Sequence, residues 1–172
     1  MSLIFQAGRF WPTVLLFLSM TACSVTSSAE PIPPTVHYGE DMCAFCGMIV
    51  SEESHAAAYV TPEGQGQVFD DIGDMVQYYL TKNESEQAPA FFVHDYESKA
   101  WIRAETATYL HSPELHTPMH SSLVAFASSE KAEVLATSLQ GQLLSFDEVM
   151  QRYQEMAPMR MEEGKEDAHP SD

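Results

Sequence analysis

Gly66-Gln67-Val68-Phe69-Asp70-Asp71-Ile72-Gly73-Asp74-Met75-Val76 is the stretch that decides the fold. Gly64 and Gly66 punctuate its approach, Val68-Phe69 reads as a short strand, and Asp70 or Asp71 caps a helix. That helix sets Ile72, Met75, Val76 and Tyr79 on one face at helical spacing. The pattern returns late in the chain, where Gly141-Gln142-Leu143-Leu144 and Asp147 precede a helix with Val149, Met150 and Tyr153 inward. Gly-Gln, an apolar strand, an Asp cap and an apolar-faced helix in both places predict a duplicated unit, with halves over 43–82 and 89–157. The expected class is α+β: small antiparallel sheets with packed helices, in two related ββα-type units.

Outward from that stretch, residues 48–51 and 57–61 read as two short strands joined by a polar turn. Residues 82–86 form a solvated loop, 90–94 a buried strand, 101–102 a short extended piece and 105–110 a short helix. Residues 123–127 are a strand and 130–139 an amphipathic helix that Gly141 breaks. From Pro158 to residue 172 the composition is that of a disordered acidic tail.

Upstream lies Met42-Cys43-Ala44-Phe45-Cys46-Gly47-Met48, four sulfur atoms in seven residues. Soft donors at this density favour Cu(I), zinc or iron–sulfur over magnesium or calcium. The Cys-x-x-Cys spacing brings two thiolates to one ion or closes a small disulfide, and Gly47 lets the backbone turn behind the second cysteine. A thioredoxin-like redox motif needs a helix starting inside the pair, and the apolar run at 48–50 reads as a strand instead. Zinc needs four ligands, and with no second Cys-x-x-Cys it would need histidines. Met42 and Met48 tilt the choice to copper, because thioether is a good Cu(I) ligand and a poor zinc ligand.

A second soft cluster is the loop His111-Ser112-Pro113-Glu114-Leu115-His116-Thr117-Pro118-Met119-His120, which no periodicity claims. Pro113 and Pro118 stiffen it, and Met119 and His120 stand just before a buried strand. His55 and His94 are weaker candidates, His94 reading as structural at the end of a buried strand. Met156, Met159, Met161 and His169 could capture copper from the tail.

Residues 1–22 read as a signal peptide: Arg9 is followed by an apolar run from Phe10 to Met20, too short to span a bilayer as a helix. Met20-Thr21-Ala22-Cys23 has the form of a bacterial lipobox, so Cys23 is the expected acylated residue, and acyl chains would anchor the protein to a membrane. Ser24, where Asp would retain a lipoprotein at the inner membrane, favours the outer membrane. Residues 23–36, with Pro31, Pro33 and Pro34, read as a tether. With Cys23 lipidated, the three cysteines leave one pair, too few for a disulfide scaffold. The core of the domain at 37–157 must therefore come from burial.

The formal charge is −17; removing Arg9 with the signal leaves 7 basic against 25 acidic residues, or −18. Phosphate binding needs a basic face, so nucleic acid is not an expected partner. The acidity serves solubility, or attracts cations or a basic partner.

The lipobox, the Pro-rich tether, Met-Cys-x-x-Cys-Gly-Met and the Thr-Pro-Met segment before an apolar strand together resemble the NosL family. The resemblance spans residues 23–155. It implies a non-enzymatic, periplasm-facing, lipid-anchored Cu(I) metallochaperone that supplies the copper centres of nitrous oxide reductase, with that enzyme or its membrane-associated maturation complex as partner. It implies Cys43, Cys46 and Met48 as ligands, with Met119 from the Thr-Pro-Met segment. A glycine often follows that methionine in the family, whereas His120 follows here, leaving His120, His116 or neither as the imidazole ligand. The competing readings are a thiol–disulfide oxidoreductase acting through Cys43 and Cys46, and a zinc-stabilised structural lipoprotein.

Overall fold

The unbroken apolar run Ala57-Ala58-Tyr59-Val60 makes β1 (Ala57–Val60) a strand buried on both faces, and such a strand belongs at the centre of a sheet. The structure, a computed structural model describing residues 30–81 and 90–166, places it there. β2 (Gly66–Phe69) pairs antiparallel on one side of β1, with Ala57 opposite Phe69. β3 (Ala90–His94) pairs antiparallel on the other, with Ala57 opposite Val93. β4 (Trp101–Arg103) completes a four-stranded sheet in the order β2-β1-β3-β4. Between β2 and β3 runs α1 (Ile72–Thr81).

A second sheet has the order β6-β5-β7, all antiparallel, from β5 (Thr108–His111), β6 (Leu123–Phe126) and β7 (Gln142–Leu144). α2 (Ser129–Leu139) joins β6 to β7, and α3 (Phe146–Glu166) ends the described chain. The class is α+β, as the sequence predicts. One core cluster unites Phe69, Ile72, Met75 and Val76 with Phe91, Tyr109, Phe146, Val149 and Tyr153. Each such fully buried side chain is worth about 1.5–3 kcal/mol. A smaller cluster of Leu110, Val124, Phe126, Ala132 and Ala136 lies under α2.

The two sheets repeat one topology, in a register other than the one the Gly-Gln pattern predicts. β1-β2-α1-β3 and β5-β6-α2-β7 follow one topology: a hairpin, a helix, then a strand returning to the free side of the first strand. α1 therefore corresponds to α2, while β7 and α3, which carry the second Gly-Gln copy, have no such relation to β2 and α1. Gly66 faces Pro34 and Gly141 faces Leu110, and an added Cβ would come within 2.7 Å and 2.4 Å of them respectively. The shared glycine thus reflects two unrelated close contacts.

Other local differences have physical causes. The short helix expected at 105–110 is a 3₁₀ turn (Ala104–Thr106) followed by β5. Tyr109 and Leu110 are fully buried at the centre of the second sheet, and the Tyr109 hydroxyl donates to the Ala104 carbonyl at 2.9 Å. The strand expected at 48–51 shrinks to one isolated bridge between Met42 and Ile49, because Gly47 (φ +74°) turns the chain back on itself. α2 ends on Gln140 in the left-handed region, one residue before Gly141. Ser145 and Glu148, rather than Asp147, start α3: Glu148 Oε2 accepts from Ser145 N at 2.7 Å, and Ser145 Oγ accepts from Glu148 N at 3.3 Å. α3 continues past Pro158, where the disordered tail was expected to begin, because Met, Arg, Glu and Lys there are good helix formers. The signal segment, Cys23, the 82–86 loop and His169 lie outside the described residues.

Candidate metal centre

The sulfur motif sits in a loop that closes mainly on itself. Cys43 N donates to the Met48 carbonyl at 2.7 Å and Gly47 N to the Cys43 carbonyl at 3.0 Å. Val50 N returns to Asp41 at 2.9 Å, and Ala44 N ties the loop to β2 through the Val68 carbonyl at 2.9 Å. No helix begins within the pair, so the local context of a thioredoxin-like motif is missing here. Both cysteines are free thiols, Cys43 buried and Cys46 half-buried.

The loop is pressed against the start of α1, which is built from carboxylates. Asp71 caps the helix, its Oδ1 accepting from Gly73 N at 2.7 Å. Asp70 precedes it and Asp74 closes the first turn, where the helix end favours negative charge. All three side chains are buried. The Cys43 thiol donates to Asp74 Oδ2 at 3.4 Å and the Cys46 thiol to Asp70 Oδ1 at 3.6 Å. One donor atom from each of Cys43, Cys46, Asp70 and Asp74 falls within 4.8 Å of the others, the spacing of ligands around one ion. Among the described residues this is the only such group of three or more His, Cys, Asp or Glu side chains.

Burial pushes both thiols well above their ordinary pKa, with neighbouring carboxylates adding to the shift. Burial also raises Asp74, although the two thiol hydrogen bonds oppose it. Without a cation both thiols are therefore held protonated. A thiophilic ion that enters must displace thiol protons, and Asp74 lies against them as a ready acceptor.

The remaining predicted residues fall into two places. Met48 is half-exposed on the outer side of the cysteine loop, with Met42, Phe45 and Ile49 also exposed. Met119 and His120 come from the loop between β5 and β6, which docks on α1 through Asp71. Asp71 Oδ2 accepts from Thr117 Oγ1 at 2.7 Å and from Met119 N at 3.1 Å. Gly73 permits that docking, since a Cβ there would meet Ser121 Cβ at 2.8 Å and the Tyr153 hydroxyl at 2.3 Å. Met119 is half-buried, belongs to no core cluster, and lines a cavity that shares Asp74 with the thiol cluster. His120 is exposed with φ +58°, a conformation that glycine adopts without strain. His116 is exposed, and His55 is buried against Tyr96, outside the quartet. His94 is structural: Nδ1 donates to the Lys99 carbonyl at 2.6 Å and Nε2 accepts from the Tyr38 hydroxyl at 2.7 Å. Burial holds its imidazole below the ordinary pKa, as that neutral tautomer requires.

The sequence reading gave Asp70 and Asp71 only a capping role and passed over Asp74. The available signal was Asp70 and Asp74 at i, i+4, interleaved with the buried Ile72, Met75 and Val76. Carboxylates on an apolar helix face need partners.

The NosL family model matches residues 34–154. The chain is 25% identical over 173 residues to the copper-binding lipoprotein NosL of Stutzerimonas stutzeri, covering 92% of this chain and 88% of that protein. Its fold is similar to the crystal structure of the copper chaperone NosL from Shewanella denitrificans, with a TM-score of 0.64 and 19% identity, over 72% of this chain and 99% of that one.

Proposed function

The chain belongs to the NosL family, and on that basis we propose that it is a lipid-anchored Cu(I) metallochaperone rather than an enzyme. Copper binding and the lipoprotein character follow the description of the Stutzerimonas relative. The finer parts are anchorage through Cys23, a periplasm-facing domain, and delivery of copper for maturation of nitrous oxide reductase, directly or through its membrane-associated maturation complex. The observation that carries the reading is the convergence of two free thiols on two buried carboxylates within 4.8 Å.

Cys43 and Cys46 supply the thiolates. Met48, on the same loop, and Met119, fixed through Asp71, supply thioethers. Loading is an exchange of protons for copper: Cu⁺ binds two sulfurs and the thiol protons leave, one of them accepted by Asp74. The raised pKa of the thiols drives the reverse step, so protonation and a partner's incoming thiolate or imidazole together release the ion. The same raised values weigh against a thiol–disulfide oxidoreductase, whose attacking cysteine needs a lowered pKa.

The two carboxylates are harder ligands that zinc accepts, so zinc is the specific competitor. Anaerobic titration of the reduced protein against chelators should give about one tightly held Cu(I) per chain and much weaker Zn(II) binding. Cys43→Ser/Cys46→Ser, or oxidation of the pair to a disulfide, should abolish the tight site. Zinc outcompeting copper would replace this reading with a zinc-stabilised structural lipoprotein.

A further inference from the structure

In a chain of formal charge −17, carboxylates are plentiful, and Lys99, Arg103 and Lys131 each pair with a glutamate. Arg152 of α3 is half-buried and has no carboxylate partner among the described residues; its guanidinium donates to Gln142 Oε1 at 2.6 Å. The glutamates one helical turn away on either side are committed elsewhere. Glu148 Oε2 accepts from Ser145 N and Oγ, and Glu155 Oε1 accepts from Gln151 Nε2 at 2.9 Å. A charge withdrawn from water is ordinarily paired.

Arg152 lines a cavity of about 420 Å³ between α1, the β5–β6 loop and α3. His111 at the end of β5 and His120 at the exposed rim line it too. Burial, with the Arg152 guanidinium adding to it, holds His111 below its ordinary pKa, so its neutral imidazole keeps one N–H to donate. Leu123 and Met156 give the cavity apolar walls, and Met156 packs on the main core as well. Asp74 also lines it, but Asp74 Oδ2 is taken by the Cys43 thiol and burial favours the neutral carboxyl. His111, His120 and Asp74 are not gathered round one point. A single-atom ion cannot use donors so spread; an anion several atoms long can.

We propose that this cavity binds a small organic carboxylate, held by the Arg152 guanidinium with N–H support from His111 and His120, its carbon chain lying against Leu123 and Met156. A guanidinium matches a carboxylate with two parallel hydrogen bonds. A cavity of this size takes a whole small molecule rather than one side-chain tip. The site adjoins the thiol cluster across Asp74 but shares no sulfur with it, so it stands whether or not the thiols hold copper.

Full-length, reduced, copper-free protein would be titrated calorimetrically with succinate at constant ionic strength, and in parallel with inorganic phosphate. Succinate should bind saturably with a dissociation constant below about 1 mM and raise the melting temperature. Phosphate should bind more weakly, because it leaves the apolar walls unused. Arg152→Gln should weaken succinate at least about tenfold and keep the tight Cu(I) ion. In the wild type, succinate should shift the imidazole resonances of His111 and His120, a reading independent of any variant's folding. Absence of saturable succinate binding, binding undiminished in Arg152→Gln, phosphate binding tighter than succinate, or imidazole resonances that do not move would each overturn the carboxylate site. Failure to bind Cu(I) with succinate binding intact would overturn only the thiolate reading.

Discussion

The two halves of the molecule share one topology and differ in what closes over the strand-to-helix junction. After β2 come Asp70 and Asp71, and the start of α1 is covered from one side by the cysteine loop and from the other by the loop carrying Thr117 and Met119. After β6 come Ala127 and Ser128. There Ser128 Oγ accepts from Lys131 N at 3.4 Å, Asp95 Oδ1 accepts from Ala127 N at 2.8 Å, and α2 turns Val134 to solvent at 74% exposure. Both junctions offer the same positive helix end. Only the first receives sulfur, because the cysteine loop ahead of the first unit and the β5–β6 loop of the second converge on it. Topology supplies the socket, and the flanking loops decide that one socket is a metal site.

The sharpest way to break that contrast is Asp71→Ala. It removes the cap of α1 and leaves Thr117 and Met119 N without their acceptor, so unfolding should cost about 3 kcal/mol less in chemical denaturation. Copper affinity should fall with it. A loss as small as that of an ordinary exposed cap would mean the loop docking contributes nothing.

The next effect is on pH. Because both thiols have raised pKa values, metal uptake releases their protons and affinity must rise with pH. Two released protons would give about a hundredfold per pH unit below the thiol values; with Asp74 retaining one, we expect about tenfold, or 1.4 kcal/mol. A competition titration from pH 6 to 8 reads the slope, and a flat profile would exclude thiol loading. Asp74 also bears on the apo protein: a carboxyl raised in the fold stabilises it below the unfolded pKa and loses that stabilisation as pH rises through the folded value. Asp74→Asn should thus raise the apo melting temperature at neutral pH and steepen the pH slope of copper binding.

The smallest effect belongs to the second junction. Ser128→Ala should cost about 1 kcal/mol and leave copper affinity unchanged, checked by the same denaturation and titration. A copper defect in Ser128→Ala would show that the second junction also bears on the metal site, contrary to the contrast drawn here.

What could be read in advance follows the range of the interactions. β3 was legible because Ala90-Phe91-Phe92-Val93 is an unbroken apolar run, and α1 because Ile72, Met75 and Val76 repeat at helical spacing. β5 was missed because Glu105-Thr106-Ala107-Thr108 gives no strand alternation, and what makes a strand of the residues that follow is burial of Tyr109 and Leu110 between β6 and β7. Cys43 and Cys46 announced themselves by spacing. Their carboxylate partners lie 31 and 24 residues away and carry an innocent local explanation as helix-start residues. Only the tertiary approach of loop to helix shows that they belong together.

The cysteine loop contributes no strand to either sheet. Its main-chain bonds at Cys43, Gly47 and Val50 are internal, and its ties to the body include one amide to Val68 and the Tyr38 hydroxyl on His94. Its side chains hold it instead: Cys43 and Val50 are buried in the core, and both thiols bond carboxylates at the start of α1. Opening the loop to release cargo must break those contacts together, so a substitution that loosens the core under Cys43 should also shorten the time the protein keeps its ion.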